Sequence, residues 1–203
     1  LFIGGAFLDV NAGNVTIKNS NLESADARGI NHATAPGDGG NVLIYDSKVI
    51  NITAFGGRCS GSCISIILGG DGGNVLFDGN NINLTNYIID IRGGQAPIVG
   101  KAGRLTLNYS GSFIDTNANY GTKLSLTLSN KSTGEIKWIR ELNGSALQNL
   151  SKEAAISYNL VSLNSGALPV LNVTANITLF NVDSAVFQVP AILRDGENCP
   201  PGI

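Results

Sequence analysis

Methionine is absent from this 203-residue chain, position 1 included. The reading that follows is an excised or processed segment, with any export signal or anchor lying outside it. Histidine occurs once, at His32, in the loop Asn31-His32-Ala33 with no serine or cysteine partner in a recognisable motif. A Ser-His-Asp arrangement is therefore not expected, and His32 reads as a solvated loop residue. Charged residues make up 14% of the chain, with a net charge of −2. Without a basic stripe, nucleic acid is not an expected partner. No apolar run approaches the length that spans a bilayer as a helix, so no membrane span is expected. The opening LFIGGAFLDV lacks a basic leader and reads as a first strand. No P-loop Gly-Lys-Ser/Thr follows any glycine-rich stretch, and no cofactor is expected.

With so little charge, the solvent face must be built from Asn, Ser, Thr and Gly. Glycine is abundant, at 26 residues, which points to many tight turns. Three cysteines are present. Cys59 and Cys63, separated by Ser-Gly-Ser, could close a small disulfide loop, leaving Cys199 to pair outside the segment. The alternative is three free thiols. Nine Asn-x-Ser/Thr sequons occur, at Asn14, Asn51, Asn83, Asn108, Asn130, Asn143, Asn149, Asn172 and Asn176. They suit a glycosylated extracellular or cell-surface protein. Alternating strands also generate sequons simply by turning polar residues outward.

An internal repeat organises the first 119 residues. AGNVTI (12–17), GGNVLI (39–44), GGNVLF (72–77) and AGRLTL (102–107) recur, with Gly13, Gly40, Gly73 and Gly103 spaced 27, 33 and 30 apart. Val15, Val42, Val75 and Leu105 form one column, and Ile17, Ile44, Phe77 and Leu107 a second. Their alternation with variable positions predicts strands with one buried face. The glycine column suits a turn at positive φ or a close approach between repeats. Asn14, Asn41 and Asn74 fall in register and predict a side-chain amide ladder. A second strand column is expected at Leu22, Val49 and Ile82. A third apolar segment follows at Ile64–Leu68 and Ile88–Ile91. Three short strands and three corners in about 30 residues make one coil of a parallel β-helix, whose inward columns are buried only by stacking.

The GNVxI-x-x-S/N pattern resembles right-handed parallel β-helix proteins of microbial exteriors, such as filamentous-haemagglutinin-like adhesins. Near Gly121 the 30-residue period is expected to stop. Strands are then predicted at 123–128, 135–140, 155–160 and 171–180, with one helical turn within 146–154. The stretch LNVTANITLFN followed by ILRDGENCPPGI looks like an immunoglobulin-like module of archaeal surface proteins. The expected fold is all-β, with a right-handed parallel β-helix over 1–119 and a small antiparallel β-sandwich, which the segment's end could truncate, over 120–203. The alternative is that 120–203 continues or caps the solenoid.

Candidate chemistry is sparse. A β-helix polysaccharide lyase or hydrolase needs clustered acids with a base, for which Asp46, Asp78 and Asp90 with Arg92 are the candidates. Asp90-Ile-Arg92 is also the pattern of an ordinary surface ion pair. The stretch Gly69–Phe77 nearly fits a calcium-binding nonapeptide, but Asn74 stands where the carboxylate belongs. A weak calcium site near Asp38 and Asp71 is the residue of that idea. Tyr45, Tyr87 and Tyr109 are placed near coil exteriors, where they could stack on sugars, and Trp138 in the core. The resulting expectation is a non-enzymatic, structural or adhesive segment of a microbial surface glycoprotein. Its expected partners are a glycan or cell surface and further domains of its parent chain. The rival is a carbohydrate-active enzyme.

Overall fold

The computed structural model describes residues 11–32, 36–60 and 69–182, together with short strands at 193–194 and 197–198. The protein is mostly β; among the described residues there are several sheets, none closed, and one short α-helix. The largest sheet has seven strands. The glycine-led segments supply its first four: β1 (Val15–Lys18), β3 (Val42–Tyr45), β5 (Val75–Gly79) and β8 (Arg104–Tyr109). They pair in parallel, with Val15 opposite Val42, Val42 opposite Val75 and Val75 opposite Leu105. All four residues are buried, as are Ile17, Ile44, Phe77 and Leu107. Both predicted columns are thus single stacked files inside one core. Each such side chain contributes about 1.5–3 kcal/mol by leaving water.

A second parallel sheet joins β2 (Asn21–Asp26), β4 (Lys48–Thr53) and β7 (Ile88–Asp90). A third joins the short β6 (Ile82–Asn83) and β9 (Phe113–Ile114). Leu22 pairs with Val49 as expected, but Ile82 does not continue their column and instead pairs with Phe113. The segment Ile64–Leu68 lies outside the described residues.

The 30-residue spacing ends near Gly121, but parallel pairing continues for one more strand. β10 (Ser125–Asn130) pairs in parallel with β8, placing Leu126 beside Leu105 and Leu128 beside Leu107. Both columns therefore gain a fifth member at a spacing of only 21 residues (126 − 105). The antiparallel strands β11 (Gly134–Trp138) and β14 (Ala175–Leu179) then complete the sheet. The predicted strand at 155–160 is a hairpin of β12 (Ala154–Ser157) and β13 (Leu160–Leu163). It turns where Asn159 takes φ 55. The predicted helical turn is α1 (Leu150–Glu153). Trp138 is buried, its Nε1 donating to the Leu171 carbonyl at 3.4 Å. No helix among the described residues is long and apolar enough to cross a membrane.

Side chains pin neighbouring repeats together along the stack. The amide ladder is present: Asn41 Nδ2 donates to Asn14 Oδ1 at 3.0 Å, and Asn74 Nδ2 to Asn41 Oδ1 at 3.0 Å. The same oxygens accept from the backbone N–H of the next repeat, ending with Arg104 N–H on Asn74 Oδ1. Replacing Asn41 with alanine removes the middle of this file. We expect a loss of about 1–2 kcal/mol, read as a lower urea midpoint with unchanged slope.

The closing segment is clasped to the last repeats by Asp115, which is fully buried. Its Oδ2 accepts from the Tyr120 hydroxyl (2.8 Å) and Leu150 N–H (2.8 Å), and its Oδ1 from Ser151 N–H (2.9 Å). Burial, and then the neighbouring Asp115 carboxylate, hold the Tyr120 phenol well above its ordinary pKa. Burial also raises Tyr87 and Tyr109. A phenol raised in the folded state stabilises it below the unfolded pKa of about 10, and that contribution is lost as pH climbs toward the folded value. Urea midpoints should therefore fall above about pH 10. In Tyr120→Phe the fall should be shallower.

Candidate functional site

The link between the first and second sheets lengthens partway along the stack. Between registered positions it takes nine residues in the first two repeats (24 − 15 and 51 − 42). It takes thirteen in the third (88 − 75) and fourteen in the fourth (119 − 105). The extra residues form β6, β9 and the turns beside them. Tyr87 fills the interior of this step. It lies edge-on to Phe77, with ring centroids 5.9 Å apart, and its hydroxyl accepts from Val49 N–H at 3.3 Å. On the outside the step leaves a notch of about 520 Å³. Asn21, Asp46, Ser47 and Lys48 line it from the first two repeats, and Asn81, Asn83, Thr85 and Asn86 from the third.

The three proposed acids do not meet at one place: Asp46 and Asp78 are neighbours and Asp90 stands apart in the second sheet. Asp46 takes φ 44 at the turn after β3, and its Oδ1 accepts from Asn80 N–H at 3.4 Å. Asp78 shares a small pocket with Asp46, but it is ion-paired with Lys131 and accepts from Asn108 Nδ2 at 2.8 Å. Asp90 belongs to the second sheet, where it pairs with Arg92 at 3.2 Å. Asp38 and Asp71 act as pins between repeats. Asp71 N–H donates to Asp38 Oδ1 at 2.6 Å, and Lys101 N–H to Asp71 Oδ1 at 2.8 Å. No group of three or more His, Cys, Asp or Glu able to hold a metal occurs among the described residues.

One constellation escaped the sequence reading. Phe55 is approached by three guanidiniums, those of Arg28, Arg58 and Arg92, with Cζ 5.6–5.8 Å from the ring centroid. Arg28 pairs with Asp26 at 2.5 Å, as Arg92 does with Asp90. The signal was legible: Asp26-Ala-Arg28 and Asp90-Ile-Arg92 flank Thr53-Ala-Phe55, and the sheet register sets Asp26, Thr53 and Asp90 side by side. Arginine–aromatic contacts of this kind contribute about 0.5–1 kcal/mol each at exposed sites.

Two of the three tyrosines are displaced from the expected surface. Tyr87 and Tyr109 belong to the core, because the longer third and fourth repeats need large side chains to fill them. Tyr45 is partly exposed and carries Lys18 over its ring at 5.1 Å. Cys59 is disulfide-bonded, while Cys63 and Cys199 lie outside the described residues.

The sequons have structural uses. Asn83, Asn130 and Asn143 each accept from the backbone N–H of the Ser or Thr two residues on, closing a local turn. Asn130 is only 8% exposed, and its Nδ2 donates to the Ile156 carbonyl at 3.4 Å. Asn149 sits at φ 59, Asn51 is half-buried, and Asn172 and Asn176 are exposed.

No family model matches this chain, and neither a curated protein nor a solved structure matches it.

Proposed function

We propose that the stacked repeats wind as a right-handed parallel β-helix closed at one end by the antiparallel strands. We further propose that this body is a non-enzymatic, structural and adhesive segment of a microbial cell-surface or secreted glycoprotein. Parallel strands in one sheet need crossover connections, and those are right-handed in about 98% of cases. For residues 120–203, one core runs from Val15 through Leu105 to Trp138 and Leu150. A shared core favours a closing cap over an independent immunoglobulin-like module. The disulfide at Cys59 suits an oxidising exterior.

One observation carries the functional part. The acids proposed for catalysis are engaged with neighbouring groups. Asp46 accepts from Asn80 N–H through Oδ1, Asp78 is paired with Lys131, and Asp90 is paired with Arg92 beside Phe55. A lyase or hydrolase needs such groups free and convergent. The test has two arms. The protein incubated with polygalacturonate and alginate should release no new ends above buffer. Turnover lost in Asp78→Asn would instead establish the enzyme. Immobilised protein should retain glycans from a broad array or intact cells. Retention of neither would leave a scaffold without adhesion.

A further inference from the structure

We propose that the notch at the step between the second and third repeats binds a neutral oligosaccharide. The inference deepens the adhesive reading and rests on it. Three properties carry it. The first is shape. A volume of about 520 Å³ lies within the roughly 300–1,000 Å³ of small-molecule sites. The step that creates it is fixed by the four extra residues of the third repeat and by the Tyr87 hydroxyl accepting from Val49 N–H.

The second property is free hydrogen-bonding capacity. Among the described residues, Asp46 Oδ2, Lys48 Nζ and the Nδ2 groups of Asn83 and Asn86 make no hydrogen bond, whereas their backbones are held in the sheets and turns. Sugar hydroxyls both donate and accept, so they match a wall that mixes carboxylate, ammonium and amide groups.

The third property is charge. Asp46 and Lys48 are the charged residues of the lining and cancel, so the notch selects for neither an anion nor a cation. The other large groove, about 980 Å³, is lined by Arg92, Lys101 and Lys123 against Glu141. It lacks this balance and serves as the internal comparison.

The test uses the full chain made in a host without N-glycosylation, because Asn83 is itself a sequon residue in the notch. The chain is screened on an array of neutral and acidic glycans, and the strongest neutral hit is titrated by amide chemical-shift mapping. We expect shifts concentrated at 46–48 and 81–87. Asp46→Asn with Lys48→Gln should weaken binding at least tenfold. Asn86→Gly, which tolerates the φ of 62 at that position, should weaken it independently. Urea midpoints of both variants show whether they remain folded. Shifts mapping to Lys101 and Lys123, unchanged affinity in both variants, or retention of acidic glycans alone would overturn the notch and leave the adhesive reading standing. Retention of nothing would overturn both.

Discussion

Replacing Asp115 with alanine is expected to destabilise the protein by about 3–5 kcal/mol, a large share of the roughly 5–15 kcal/mol that holds a domain together. The carboxylate is buried and accepts three hydrogen bonds, two from the backbone N–H groups that open α1 and one from Tyr120. Asn149, the residue preceding α1, makes no side-chain capping bond, so Asp115 does that work from across the core. Truncation leaves two buried donors and the half-buried Ser151 N–H without acceptors, and each lost bond to a charged group is worth about 1.5–3 kcal/mol. Asp115→Asn retains one acceptor oxygen and should lose only part of this. Urea denaturation of the two variants separates the effects. A loss under about 1 kcal/mol in Asp115→Ala would mean the closing segment does not depend on this clasp.

A comparable loss, about 3 kcal/mol or more, is expected for Gly73→Val. At this position the issue is space between backbones. A Cβ on Gly73 would overlap the carbonyl oxygen of Gly40 in the preceding repeat and sit 2.7 Å from its carbon. Gly40 faces Gly13 in the same way, and Gly103 faces Gly73. The side chain can be accommodated only by spreading the stack. That would lengthen the bond from Gly73 N–H to the Ala54 carbonyl, now 2.6 Å, and the one from Val42 N–H to the Asn74 carbonyl, now 2.8 Å. Thermal or urea midpoints measure the loss. A valine tolerated within about 0.5 kcal/mol would show that the repeats are not in backbone contact there.

Much of the stack was legible because its signals are columnar. A valine repeated behind Gly-Asn at 27 to 33 residues leaves one buried face and one corner, and Asn14, Asn41 and Asn74 bond as their alignment implies. The fifth strand was harder to read. Leu126 and Leu128 continue the columns without a glycine-asparagine lead and after a shortened connection, so local pattern alone points to a new antiparallel unit. The step at Tyr87 was missed for a similar reason. An aromatic on a turn reads as surface until the lengthened repeat beneath it is counted. Asparagine has a second structural use that composition does not display. Asn19, Asn86, Asn117, Asn149, Asn159 and Asn181 adopt positive φ, and Asp46 is the other described non-glycine residue that does. Of these only Asn149 is a sequon residue; the others serve turns, where a short side chain bonding locally relieves left-handed strain.

Scalar couplings transmitted through backbone hydrogen bonds reach the heart of this account. Coupling should appear from the Val15 nitrogen to the Asn41 carbonyl carbon and from the Val42 nitrogen to the Asn74 carbonyl carbon, across hydrogen bonds whose nitrogen and oxygen are 2.8 Å apart in each case. Both link residues a full repeat away along the chain, as parallel stacking in register demands. Couplings that instead tied Val42 to a sequence-near antiparallel neighbour, or that shifted the partner by two residues, would contradict it.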